Sequence, residues 1–166
     1  MDINRYHTMQ ENKDTQCGRY LLFSIGNEDY GIEILFVTEI LSTQAIKPLP
    51  DMPDYMKGVI GLRGKTIPVI DMRLRFTKQA EKDTEKTCIV VINAKAYCAG
   101  LIVDEVKEVL EIEEKDIAMP PMFEPGESSR YISGIGKVGD QVKLIINCER
   151  LFTDKEAKQI QDIQAE

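Results

Sequence analysis

The sequence predicts a mainly β protein, built as small barrels or a sandwich, and three observations carry that prediction. Short apolar runs rich in valine and isoleucine recur between Gly, Asn and Asp turn signals, a pattern of strands rather than helices. The second half of the chain repeats the first. A composition of 43% hydrophobic and 30% charged residues over 166 positions is that of a globular chain able to bury a core, which rules out a disordered or collagen-like chain.

Residues 1–18 are polar and lack periodicity, and read as a flexible tail. Order is expected from Arg19. Tyr20–Ile25 is the first strand, Asn27–Asp29 its turn, and Tyr30–Ile34 and Val37–Leu41 follow as strands. Pro48, Pro50 and Pro53 each fix φ and remove a donor, so Lys47–Pro53 is expected to be a stiff extended connector. Gly58–Leu62 and Thr66–Ile70 then form a hairpin. Asp71 precedes Met72–Phe76, where its side chain can accept from the free N–H groups of a first helical turn. The polar stretch 78–87 joins two halves. Cys88–Ile92, Cys98–Val103 and Val106–Ile112 are the next strands, and Ala118–Gly126 is a second proline-bearing loop. Tyr131–Val138 and Val142–Ile146 form another hairpin, and Asn147 precedes Cys148–Phe152 as Asp71 precedes Met72. This last helix is expected to run on to Ile160 or Ile163.

A shift of 69 lays Gly31–Leu41 on Gly100–Leu110 without a gap, with glycine, valine, glutamate and leucine coinciding. A shift of 76 lays Gly58 on Gly134, Ile70 on Ile146, Asp71 on Asn147 and Phe76 on Phe152. The difference falls in the proline-bearing loops. Each half therefore reads as a structural copy of the other, with about five strands and a capped helix.

The net charge of −7 argues against a nucleic-acid binder, which needs a basic surface to displace counterions, and against an anionic membrane surface. No apolar run approaches the roughly 20 residues that span a bilayer, and the start lacks the apolar region of a secretory signal, so a cytoplasmic location is expected. Charge is also polarised along the chain. Segment 104–127 holds nine acids against two bases, whereas 57–78 holds six bases against Asp71 alone. Two faces of opposite sign can steer two different partners.

Cys17, Cys88, Cys98 and Cys148 form no Cys-x-x-Cys pair or ligand-like cluster, and Cys88 and Cys98 lie in apolar runs where a thiol acts as a small hydrophobe. His7, the only imidazole, lies in the tail, which removes His-based triads and His-rich metal sites. The acids of 104–114 lack EF-hand spacing, and no nucleophile stands in a Gly-x-Ser-x-Gly elbow. No catalytic, metal or cofactor site is expected. One motif stands apart. In Gly61-Leu62-Arg63-Gly64-Lys65 a strand follows the glycines, where a phosphate loop would need a helix, so this is a hairpin tip with Gly64 free to take positive φ. Arg63 is then a permanently charged donor fork on a rigid scaffold, a residue type that anchors protein interfaces. Its counterpart under the 76-residue shift is Gly139, so the repeat itself does not require an arginine there.

The run Tyr30–Ile40, the stretch Gly58–Arg73 with its Leu-Arg-Gly-x-x-x-Pro-Val-Ile-Asp core, and the later Gly100–Val106 and Tyr131–Gly134 together resemble the CheW family of chemotaxis coupling proteins. The resemblance spans about residues 19–153 and departs at Gly61, where many relatives carry asparagine. It implies two five-stranded SH3-like β-barrels sharing a core, with short helices and a C-terminal helical extension over 154–166. It also implies a non-enzymatic, cofactor-free cytoplasmic adaptor of a two-component system, linking the histidine kinase CheA to methyl-accepting chemotaxis receptors at the inner face of the membrane. In that family the kinase's regulatory domain shares the fold and docks by barrel-end pairing, which points to Leu21, Ile34 and Val37 as apolar edge positions of the first barrel. The receptor's helical hairpin tip is expected in the groove between the barrels, at Glu39, Gly58, Arg63, Cys88, Gly100 and Val106. Each apolar residue among these also has a plain core reading, favoured for Cys88. The alternative is a small-molecule-binding β-barrel regulator, which would require an apolar cavity holding a few polar groups.

Overall fold

The structure is a computed structural model that describes residues 18–77, 79, 81–119 and 130–165. Its strands are β1 (Arg19–Ile25), β2 (Glu28–Glu33), β3 (Val37–Ser42), β4 (Met56–Leu62), β5 (Lys65–Asp71), β6 (Cys88–Asn93), β7 (Cys98–Val103), β8 (Glu105–Glu111), β9 (Ile117–Ala118), β10 (Ile132–Val138) and β11 (Gln141–Ile146). Among the described residues they are accompanied by the α-helices α1 (Met72–Phe76) and α2 (Asp154–Ala165). One sheet has the order β8-β1-β2-β11-β10-β9 and the other β3-β6-β7-β5-β4. Each contains one parallel pair, β2 with β11 and β5 with β7.

Neither sheet belongs to one half of the chain. β1 and β2 sit with β8 to β11, and β6 and β7 sit with β3 to β5, so the halves exchange strands. The repeat read from the sequence extends to the hydrogen bonds. Thr38 is skipped between Val37↔Ile92 and Glu39↔Val91, and Lys107, 69 residues on, is skipped between Phe23↔Val106 and Leu22↔Glu108. A second pair of bulges lies before Gly58 and before Gly134, 76 residues apart. Even the helix entries match, with Asp71 N–H donating to Tyr55 O at 2.7 Å and Asn147 N–H to Tyr131 O at 2.8 Å.

Side-chain alternation along β1 explains how two barrels share a core. Tyr20 and Leu22 point to one side and join Ile112 and Ile145 inside the first barrel. Leu21, Phe23 and Ile25 point to the other and join Ile70, Val90, Ile92 and Leu101 of the second sheet. β6 does the same in reverse, with Ile89 and Val91 inside the second barrel beside Ile60, Ile67 and Val69. Strands buried on both faces lose clean polar alternation, which is why these runs read as continuously apolar. The shared core is closed by Leu151, Phe152, Ala157 and Ile160.

Several local expectations change. The first turn is Gly26–Asn27, with Glu28 and Asp29 already in β2, because Gly26 takes the positive φ (63°) of a tight two-residue hairpin. The proline connector is not uniformly extended. It turns at Pro50–Asp51, Asp51 having φ 58°, after Lys47 has paired with Val59. Asp71 and Asn147 cap as expected, accepting from Arg73 N–H and Glu149 N–H. The segment after Asn147 is only a 3₁₀ turn, Cys148–Arg150, and α2 is a separate helix rather than its continuation. Thr153 starts it with a reciprocal pair, Thr153 N–H to Glu156 Oε1 at 2.8 Å and Glu156 N–H to Thr153 Oγ1 at 3.1 Å. The expected tail, Cys17, His7 and most of the second proline-bearing loop lie outside the described residues.

Candidate functional site

One exposed polar device is built from two elements far apart in sequence. β4 and β5 are joined by a two-residue turn in which both Arg63 (φ 52°) and Gly64 (φ 78°) have positive φ, the pattern of a type I′ hairpin. Gly64 accounts for only half of it, so Arg63 is a non-glycine residue held in the left-handed region. On β3, strand alternation puts Glu39 on the same side as Leu41, which packs toward the second barrel's interior. Arg63 Nη1 donates to Glu39 Oε2 at 2.5 Å and Nη2 to Oε1 at 3.3 Å. β3 and β4 are opposite edges of their sheet, so this two-pronged pair closes the barrel seam. The arginine side chain is 76% exposed and the glutamate 20%. A pair so wet adds about 1 kcal/mol or less to stability, and its value lies in presenting an oriented cation.

The remaining candidates divide. Val106 and Cys88 meet where the two barrels join, the Cys88 thiol bonding to the Val106 backbone. Both are half-buried against the shared core, as are Ile34 and Val37. Burial pushes the Cys88 thiol up despite that bond, so it stays a protonated small hydrophobe. Gly58 and Gly100 are buried and serve close packing: a Cβ on Gly58 would lie 2.0 Å from Lys47 O, and one on Gly100 2.7 Å from Ile89 Cγ2. Leu21 is corrected outright. It is 2% exposed in a strand paired on both sides, and no edge is there for it to occupy. The edge strands are β3, β4, β8 and β9, and the most exposed apolar residue of β3 is Ile40, with Leu35 just before the strand. Sequence reading passed over Ile40, though the 69-residue shift lays it on Val109, an exposed apolar residue of another edge strand, β8.

The basic stretch 57–78 also loses much of its reach. Arg73 is buried, with Nε and Nη2 on the two Asp71 oxygens at 3.0 and 3.1 Å, Nη2 on Asp83 at 2.8 Å and Nη1 3.6 Å from Asp104. Burial opposes that charge, and the Asp71 and Asp83 carboxylates outweigh it and hold the guanidinium above its ordinary pKa. Arg75 grips Glu156 at 2.7 and 3.0 Å and lies over the Tyr55 and Phe152 rings. Two of the six bases therefore hold the fold together instead of steering partners. The acids of β8 and the turn after it do mostly face solvent. Among the described residues no group of carboxylates, cysteines and histidine has a metal-binding arrangement, and no helix is long and apolar enough to cross a membrane.

Two barrels filled by their own side chains, with an oriented ion pair at one rim and apolar edge strands beside it, define a protein-docking scaffold. Residues 19–156 match the model of the CheW-like domain, and the chain belongs to that family. It is 33% identical over 150 residues to the chemotaxis protein CheW of Klebsiella aerogenes, covering 90% of each chain. It is 33% identical over 135 residues to that of Helicobacter pylori, covering 81% of each. Among solved structures it is similar to the scaffolding protein TtCheW of Thermoanaerobacter tengcongensis, with a TM-score of 0.74 and 34% identity, covering 81% of this chain and 92% of that one. The family's proteins are scaffolds and adaptors rather than enzymes, and this chain is a chemotaxis coupling adaptor of that kind.

Proposed function

We propose that the chain couples methyl-accepting chemoreceptors to the histidine kinase CheA in arrays at the inner face of the membrane. The observation that carries this reading is the Arg63–Glu39 pair, a fixed, exposed fork on a hairpin tip that the internal repeat does not need. The receptor's helical tip engages this pair and the seam at Cys88 and Val106, with Gly58 and Gly100 keeping the backbone beneath it closely packed. The kinase's regulatory domain docks on the β3 edge beside Ile34 and Val37, where unpaired backbone groups invite strand-to-strand contact. Coupling is differential binding: the adaptor alters kinase output only as far as its contacts differ between signalling states.

Arg63→Ala should leave the unfolding midpoint near that of the wild type and reduce receptor-dependent control of kinase autophosphorylation at least tenfold. Wild-type control by that variant would overturn the role of Arg63. Pulldowns with the kinase regulatory domain and a receptor cytoplasmic fragment, run separately, test the partners, and failure of both would overturn the reading as a whole.

A further inference from the structure

We propose that a groove between the proline-bearing loop and α2 docks an apolar segment of a partner protein that carries lysine or arginine side chains. The groove has a volume of about 550 Å³ and shares no residue with the docking surfaces described above. Leu49, Met52, Val59 and Ile163 give it an apolar lining, Asp51 and Asp162 put carboxylates on it, and none of its lining residues is basic. Its helical wall is Gln159, Asp162 and Ile163 of α2. An apolar body bearing a cation complements both the lining and the carboxylates. A neutral or acidic segment complements only the first.

Both walls are held before any ligand arrives. Lys47 and Val59 exchange two backbone hydrogen bonds of 2.9 Å beneath the loop, and Met56 N–H donates to Pro53 O at 2.9 Å. α2 is fastened at its first turn by Glu156, which takes Arg75 and the Tyr55 hydroxyl at 2.6 Å. Walls fixed in this way lower the ordering cost of association. Asp51 supplies the turn and the charge together, since aspartate enters the left-handed region more readily than most residues.

The test is a titration of the isotopically labelled full chain with a synthetic amphipathic peptide of leucine and lysine, followed by amide chemical shifts, alongside a twin with glutamate for every lysine. The lysine peptide should move Leu49, Met52, Val59 and Ile163, and the glutamate twin should not. Ile163→Glu should abolish the response. The double variant Asp51→Asn, Asp162→Asn, which touches only carboxylates and leaves the core intact, should weaken it about fivefold. Shifts centred on the acidic strand at 105–116, equal responses to both peptides, or binding unchanged in these variants would each overturn the proposal.

Discussion

Gly58 has φ 142°, in the region L side chains rarely adopt, and the carbonyl of Lys47 sits where its Cβ would be. Gly61, three residues along the same strand, has nothing within 4 Å of that position and an ordinary φ. The two glycines therefore separate structural need from permissiveness. Gly58→Ala should cost about 3 kcal/mol or more, because both strain and a backbone collision must be relieved. Gly61→Ala should stay within about 1 kcal/mol of wild type. Urea unfolding of the two variants measures the difference, and equal midpoints would contradict it. Gly61 thus falls at an open, exposed position of β4, outside the turn itself.

Among the elements, α2 depends on one carboxylate. Burial opposes the charge on Glu156, and hydrogen bonds from Arg75, Thr153 N–H and the Tyr55 hydroxyl outweigh it and take the carboxyl from 4.5 down to about 2. A depressed carboxyl stabilises fully above its unfolded value and loses that contribution as pH falls through its folded one. Glu156→Gln should therefore be less stable by about 2 kcal/mol at neutral pH. The gap should close between pH 4.5 and about 2. Denaturation midpoints of both proteins across that range check it, and a gap that persists below the folded value would show a loss of packing instead. Strand positions, caps and the hairpin tip were legible in the sequence because each is a local pattern of a few residues. The register of Leu21 was not, since a strand buried on both faces carries no alternation to tell core from edge. Nor were the Arg73 and Arg75 pairings, whose partners lie up to 81 residues away. The positive φ of Arg63 was hidden for a different reason: a neighbouring glycine seemed sufficient for the turn.

At the scale of the whole molecule, strand exchange makes the halves interdependent. Each barrel takes strands from both sides of the stretch 78–87, and the shared core draws on both sheets. Residues 1–77 and 88–166, expressed apart, should each lack native structure and recover it on mixing. A single cut within 81–87 should leave the two pieces associated, with one cooperative unfolding transition. Circular dichroism and gel filtration follow both experiments, and two independently folded pieces would refute the interdependence.

That interlacing also decides what genetics can find in this protein. A lesion in the core of either half is a lesion in both barrels, so core alleles should lose every partner together. Alleles that abolish one partnership and spare another must map to the outer surface, to residues such as Arg63 or Ile40 whose side chains are largely free of the core. Among the described residues neither barrel stands apart from the shared core, so neither can keep one function safe from the failure of the other.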